Sequence, residues 1–246
     1  MKIICLAAMV AAGAIATSAA HAEDTEAPSD ITISGGATVI SDYRFRGISQ
    51  SNKRPAIQGT TTLSHKSGLY VSVWGSSIDD YIADNSTELD FVAGFKTNVG
   101  QSTLDAGVTY YHYPNSTFPF SDFFEVYTSL SHTLGPVAGK VAVTYAPKQQ
   151  ALSLDGISKE DSLYLSGDLS AGIPQTPVSV NAHLGRSFER SYLTFGQKYT
   201  DWSVGATYTW RNLALGVSYV DTNKNILAGS RNVSKAGIVG SLGVSF

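Results

Sequence analysis

After Cys5 the chain has no cysteine. That excludes a disulfide scaffold, a thiol nucleophile and thiolate metal sites from everything downstream. Charge is sparse too: 17 Lys and Arg stand against 20 Asp and Glu, for a formal net charge of −3. Nucleic-acid binding usually shows as a clustered basic excess. Here the basic residues are scattered and outnumbered, so no nucleic-acid partner is expected. Past the N-terminal segment no stretch approaches the ~18 apolar residues that a spanning helix needs. Catalytic signatures are missing as well: there is no G-x-S-x-G elbow, no H-E-x-x-H, no P-loop and no dinucleotide fingerprint. His65, His112, His132 and His183 lie on different segments without metal-ligand spacing. The chain reads as a non-enzyme without cofactor or metal, although a chance Ser/His pair of the kind found in barrel hydrolases stays open.

What is present begins at the N-terminus. Lys2 precedes an apolar run from Ile3 to Ala16, and Ala20-His21-Ala22 offers a small-x-small cleavage site ahead of Glu23-Asp24. This pattern is a secretory signal peptide over residues 1–22, with an uncleaved anchor as the alternative. Cys5 comes too early for a lipoprotein site. A short periplasmic segment, 23–30, is then expected before a single domain over 31–246.

Alternation dominates that domain. In Glu88 to Val99, the residues Leu89, Phe91, Ala93, Phe95, Thr97 and Val99 share one parity, while Glu88, Asp90, Lys96 and Asn98 share the other. A two-residue period places the two sets on opposite faces of a strand. The same reading along the chain predicts about twelve strands, near 31–46, 55–65, 69–77, 87–99, 102–113, 122–133, 137–146, 160–172, 177–187, 199–210, 212–221 and 234–246. Strands of soluble proteins average about five or six residues, whereas a tilted membrane-spanning strand needs about nine to eleven. The expected lengths match the second class. Loop lengths alternate as well. Short turns fall at 66–68, 100–101, 134–136, 173–176 and 211–212, and longer loops at 47–54, 78–86, 114–121, 147–159, 188–198 and 222–233. Short periplasmic turns and longer extracellular loops are the outer-membrane barrel pattern. The expected fold is therefore all-β, an antiparallel transmembrane barrel of about twelve strands in the outer membrane. Leu242, Val244 and Phe246 share the parity of the final strand and end on an aromatic residue, a candidate C-terminal signal for the barrel insertion machinery.

In hydrocarbon an unpaired backbone N–H or C=O costs several kcal/mol, so only a closed sheet can cross as strands. The outward parity must then be apolar, and the inward parity can be polar. Inward parity assigns Asp42, Arg44, Arg46, Glu88, Asp90, Lys96, Asp105, Glu125, Lys140 and Asp168 to the lumen, along with Gln58, Asn181 and His183. Both charge signs are present, so pairing among them is expected. Tyr43, Phe45, Tyr110, Phe124, Tyr145, Trp202, Tyr208, Trp210 and Tyr219 fall near strand ends, where amphipathic rings favour the membrane–water boundary. On this reading Tyr43-Arg44-Phe45-Arg46 is the outer end of the first strand. Its rings face lipid, its arginines point inward beside Asp42, and Gly47 ends the strand. Asp79-Asp80 and Asp84 read as a solvated acidic loop, with divalent-cation chelation as the alternative. A twelve-stranded barrel lies between those whose interior fills with side chains and those that leave a water channel, so an open and a plugged lumen are both compatible with the sequence.

The run S-D-Y-R-F-R-G-I-S-Q-S from Ser41, followed by P-A-I-Q-G from Pro55 and S-G-L-Y-V-S-V-W-G-S-S from Ser67, resembles the TorF family of porins. E-L-D-F-V-A-G-F from Glu88, Y-Y-H-Y-P-N from Tyr110 and E-V-Y from Glu125 are similar too. The resemblance implies an outer-membrane barrel that acts as a channel, and it brings no catalytic residues and no defined substrate. Passive diffusion of small polar solutes or ions is the favoured expectation, with lipid and the insertion machinery as the other partners. A closed-lumen structural or surface-interaction barrel and an outer-membrane hydrolase are the alternatives.

Overall fold

The computed structural model describes residues 29–246; the signal peptide expected over 1–22 and residues 23–28 lie outside the described residues. Twelve antiparallel strands close into one barrel. They are β1 (Ile31–Ile40), β2 (Ala56–His65), β3 (Leu69–Ser77), β4 (Thr87–Val99), β5 (Ser102–His112) and β6 (Phe123–Leu134), then β7 (Val137–Gln149), β8 (Glu160–Gly172), β9 (Val178–Ser187), β10 (Tyr199–Trp210), β11 (Leu213–Thr222) and β12 (Gly237–Ser245). Each strand pairs with its sequence neighbours, and β1 meets β12 at the seam, with Ala37 opposite Val244 and Val39 opposite Leu242. Closure leaves no sheet edge to recruit other chains.

The two parities of each strand face different surroundings. On β3, Leu69, Val71 and Val73 are exposed on the outside, while Tyr70, Ser72 and Trp74 are buried within. The same apolar exterior runs through Val141 and Val143 on β7, Val204 and Tyr208 on β10, and Leu215 and Val217 on β11. Short turns join strands at one end and the longer connections gather at the other, as the loop lengths predict. Gly68 shows why a tight turn selects its residue. It sits at φ +97°, where an L side chain is strained, and a Cβ would run into the Lys96 carbonyl. β7 continues to Gln149, three residues past its expected end. The Gln149 amide stands in for a strand partner there: it accepts from Phe124 N at 2.9 Å and donates to Phe124 O at 2.8 Å.

The first strand departs from expectation. It ends at Ile40, not at 46, and the chain then turns into the lumen. Tyr43 has 0% exposure and Phe45 is buried, so neither faces lipid. Arg44–Phe45 pairs with Ile48–Ser49 in a separate two-stranded hairpin. Arg46 and Gly47 form its turn at φ +50° and +79°, the pair of left-handed residues that closes a two-residue hairpin. Gly47 is thus the tip of an inward hairpin and not the end of β1.

Candidate functional site

The hairpin crosses the long-loop half of the lumen. Its base is locked locally: Ser49 Oγ donates to Asp42 Oδ1 and Arg44 Nε to Asp42 Oδ2, both at 2.6 Å. Arg44 also donates to the carbonyls of Gly47 at 3.0 Å and Lys235 at 3.1 Å, the latter in the last loop. At the far side, Arg46 Nη2 meets Glu125 Oε2 of β6 at 2.7 Å. The guanidinium lies between two rings, 4.6 Å from the centroid of Phe45 and 4.4 Å from that of Tyr164 on β8. Burial works against the charge, but Glu125 outweighs it and leaves Arg46 more basic than usual. The Arg46 carbonyl accepts from Tyr199 Oη at 2.9 Å. A Cβ on Gly47 would stand 2.6 Å from Thr222 Cγ2 and 2.8 Å from Asp201 Cβ, so the tip presses on β10 and β11.

Apolar contacts seat both sides of the hairpin. Tyr43 meets Trp74 edge-on at 5.4 Å, and Phe45 meets Tyr111 at 6.0 Å, with Tyr111 stacked on Phe123 at 4.3 Å. On the other side Ile48 packs with Tyr199, Ile226 and Val233. A carboxylate then fastens three long connections together. Asp79 pairs with Arg54 of the first and with Arg231 of the last, at 3.0 Å to Arg231. Its backbone N–H donates to Gln50 O at 2.8 Å. Asp79 is therefore buried, with both of its oxygens committed to arginines, whereas Asp80 and Asp84 are exposed as a solvated acidic loop predicts. Burial pushes its carboxyl up, but the Asp80 hydrogen bond together with Arg54 and Arg231 more than offsets this and holds it below the ordinary range.

The turn half of the lumen differs. It is polar and its inward side chains are half-buried, and its charges pair across neighbouring strands. Lys96 Nζ lies 3.6 Å from Asp105 Oδ2, and Tyr70 Oη donates to Asp105 Oδ1 at 2.8 Å. Lys140 stands opposite Asp168 in register. Asp168 Oδ1 lies 2.7 Å from His183 Nδ1, and His183 Nε2 is 3.0 Å from Tyr164 Oη, which also donates to Asp201 at 2.8 Å.

The ten inward candidates thus divide into two groups. Asp42, Arg44 and Arg46 belong to the hairpin, and Glu88, Asp90 and Glu125 are buried around it. Lys96, Asp105, Lys140 and Asp168 lie in the turn half, half-buried. Leu242 and Val244 face outward, and Phe246 exchanges backbone hydrogen bonds with Gly35 at 2.9 and 3.0 Å. Sequence reasoning missed Tyr164, Tyr199 and Asp201, which build the hairpin's far seat. A usable signal existed in Arg46-Gly47, a glycine-containing pair between Phe45 and Ile48 that fits a two-residue turn.

The barrel is similar to the NanC porin, with a TM-score of 0.57 and 13% identity over 87% of this chain and 99% of that one. It is also similar to the KdgM porin, at 0.57 and 10% over 87% and 98%. The COG4313 outer membrane channel from Pseudomonas putida F1 aligns at 0.50 and 14% over 92% and 98%. At such identities the likeness is one of fold. No curated protein matches the sequence. Residues 24–246 match the family described as "bacterial protein of unknown function (Gcw_chp)", and the chain belongs to that family.

Proposed function

We propose that this member of the Gcw_chp family is an outer-membrane channel for small polar solutes or ions, held shut in the described state by its inward hairpin. The observation that carries this reading is the contrast between the two halves. A polar, half-buried turn half leads to a hairpin fastened by a buried ion pair, a few hydrogen bonds and apolar contacts, not by the barrel's own ladder. The apolar exterior fits hydrocarbon, and the loop asymmetry fits periplasmic turns with extracellular loops. The fold shared with the NanC and KdgM porins supports the same reading, as does the resemblance of the Ser41–Ser51 run to TorF porins. Lipid surrounds the barrel, and the insertion machinery would engage β12.

In the shut state a solute entering from the turn end meets Lys96, Asp105, Lys140 and Asp168, then stops at the hairpin. Displacing the hairpin would leave Glu88, Asp90 and Glu125 facing the path, so the opened channel would favour cations. The full burial of Tyr43, Ile48 and Glu125 favours one alternative, a permanently closed structural barrel. Bilayer recordings separate the two. Removing one partner of a buried ion pair costs about 3–5 kcal/mol, so Arg46→Ala should raise open probability at least tenfold over wild type and shift the reversal potential in a salt gradient toward cations. If neither protein gives conductance steps in planar bilayers or solute uptake in liposomes, the channel reading fails.

A further inference from the structure

A cavity of about 380 Å³ opens at the long-loop end, beside the hairpin. That size falls within the range of small-molecule sites, about 300–1,000 Å³. Five of the six long connections contribute to its wall, so it is an assembled feature and not a gap under one loop. Its lining is dominated by rings, with Phe45, Tyr111, Tyr113, Phe118, Phe120 and Phe123 among them. Phe120 at the rim is 68% exposed, and Tyr111 and Phe123 are buried further in. No basic side chain lines it.

One acid does. Glu88 on β4 lines the cavity with only 2% exposure; its Oε2 makes no hydrogen bond of normal geometry among the described residues, and only the Tyr43 hydroxyl lies beside the carboxyl. Asp90 follows on the same face of β4, equally buried, with Oδ1 also unpartnered. The hairpin's two cations are committed elsewhere: Arg44 pairs with Asp42, and Arg46 with Glu125. A buried carboxylate without a counter-charge or a full set of hydrogen bonds is costly. Aromatic faces attract cations, most strongly where water is excluded, and this lumen already holds one such arrangement in Arg46 between Phe45 and Tyr164.

We infer that this cavity binds an amphipathic organic cation, an ammonium group on an aromatic or short alkyl body, with Glu88 Oε2 as its counter-charge and the surrounding rings as its wall. The body replaces water against Phe118, Phe120 and Phe123, and the positive head completes the acid. A cation lets the buried acid carry its charge, whereas an anion would meet two acids and a neutral ligand would supply no counter-charge. The site needs no conducting lumen, so it stands or falls apart from the channel reading.

Calorimetric titration of the full chain in a non-ionic detergent, with benzyltrimethylammonium as the probe, tests it. The cation should bind saturably at one site, and benzylsulfonate and benzyl alcohol should bind at least tenfold more weakly. Glu88→Gln should weaken the cation at least tenfold. Because this acid is buried, Phe120→Ala at the exposed rim serves as a second variant and should weaken binding several-fold with the barrel intact. Equal binding of the three probes overturns the inference. So does a wild-type affinity in a folded Glu88→Gln protein or, if that variant fails to fold, an unchanged affinity in Phe120→Ala. Bilayer conductance, measured separately, reports on the channel alone.

Discussion

Arg46 holds three elements at once. Its side chain reaches Glu125 on β6 and the ring of Tyr164 on β8, and its carbonyl reaches Tyr199 on β10. A lysine would keep the charge but lose the planar face that sits between the rings. Asp79 plays the matching part above the lumen, with Arg54 and Arg231 as its partners. Its folded pKa lies below the usual value of 3.8. The stability it contributes is therefore fully present above about pH 4 and is lost as pH falls through the depressed folded value. Hydrogen exchange should show amides of residues 50–54, 79–84 and 229–233 losing protection on acidification below pH ~4. Asp79→Asn should show that loosened state already at neutral pH, with no further acid step from this group. Identical exchange profiles for the two proteins would contradict the assignment.

At the scale of elements, the twelve barrel strands were legible because their signals are local. A two-residue period and a turn are both read within about a dozen residues, and β4 and β8 fall where Thr87–Val99 and Glu160–Gly172 had been expected. The hairpin was not legible, although Tyr43-Arg44-Phe45-Arg46 continues the alternation of β1 unbroken. Alternation states which residues share a face; it does not state what that face meets. Tyr43 and Phe45 share a parity with lipid-facing Val39 and yet pack against Trp74 and Tyr111 inside the barrel. Gly47 is where this element can be broken selectively. Gly47→Val meets a left-handed φ and the side chains of Thr222 and Asp201 together, so it should expel the hairpin while the barrel persists. Trypsin cuts after arginine, and cleavage at Arg44 or Arg46 should rise at least tenfold over wild type. Unchanged resistance would mean that the tip is not seated as described.

The molecule as a whole is set by closure. Every ladder of the barrel is satisfied only when β12 reaches β1, and the last residue takes part: Phe246 and Gly35 exchange two backbone hydrogen bonds, and the Phe246 ring lies over Gly35. Removing Phe246 should lower the amount of heat-modifiable, folded barrel in the outer membrane several-fold while leaving export intact. Normal membrane levels of the truncated chain would show that the terminal residue is dispensable for assembly.

By itself the sequence determined the strands apart from the outer end of the first, their order, the parities within them and the alternation of turns with loops, since each depends on spacing within one segment or on adjacent segments. It also placed Lys96, Asp105, Lys140 and Asp168 on the inward face. Only the tertiary structure decided that the lumen is divided, because the hairpin's seat comes from residues remote in the chain. Glu125 lies 79 positions from Arg46, and Tyr199 lies 153. Closing the sheet brings them to one level of the barrel, and that proximity turned an apparent strand end into a hairpin seated across the lumen.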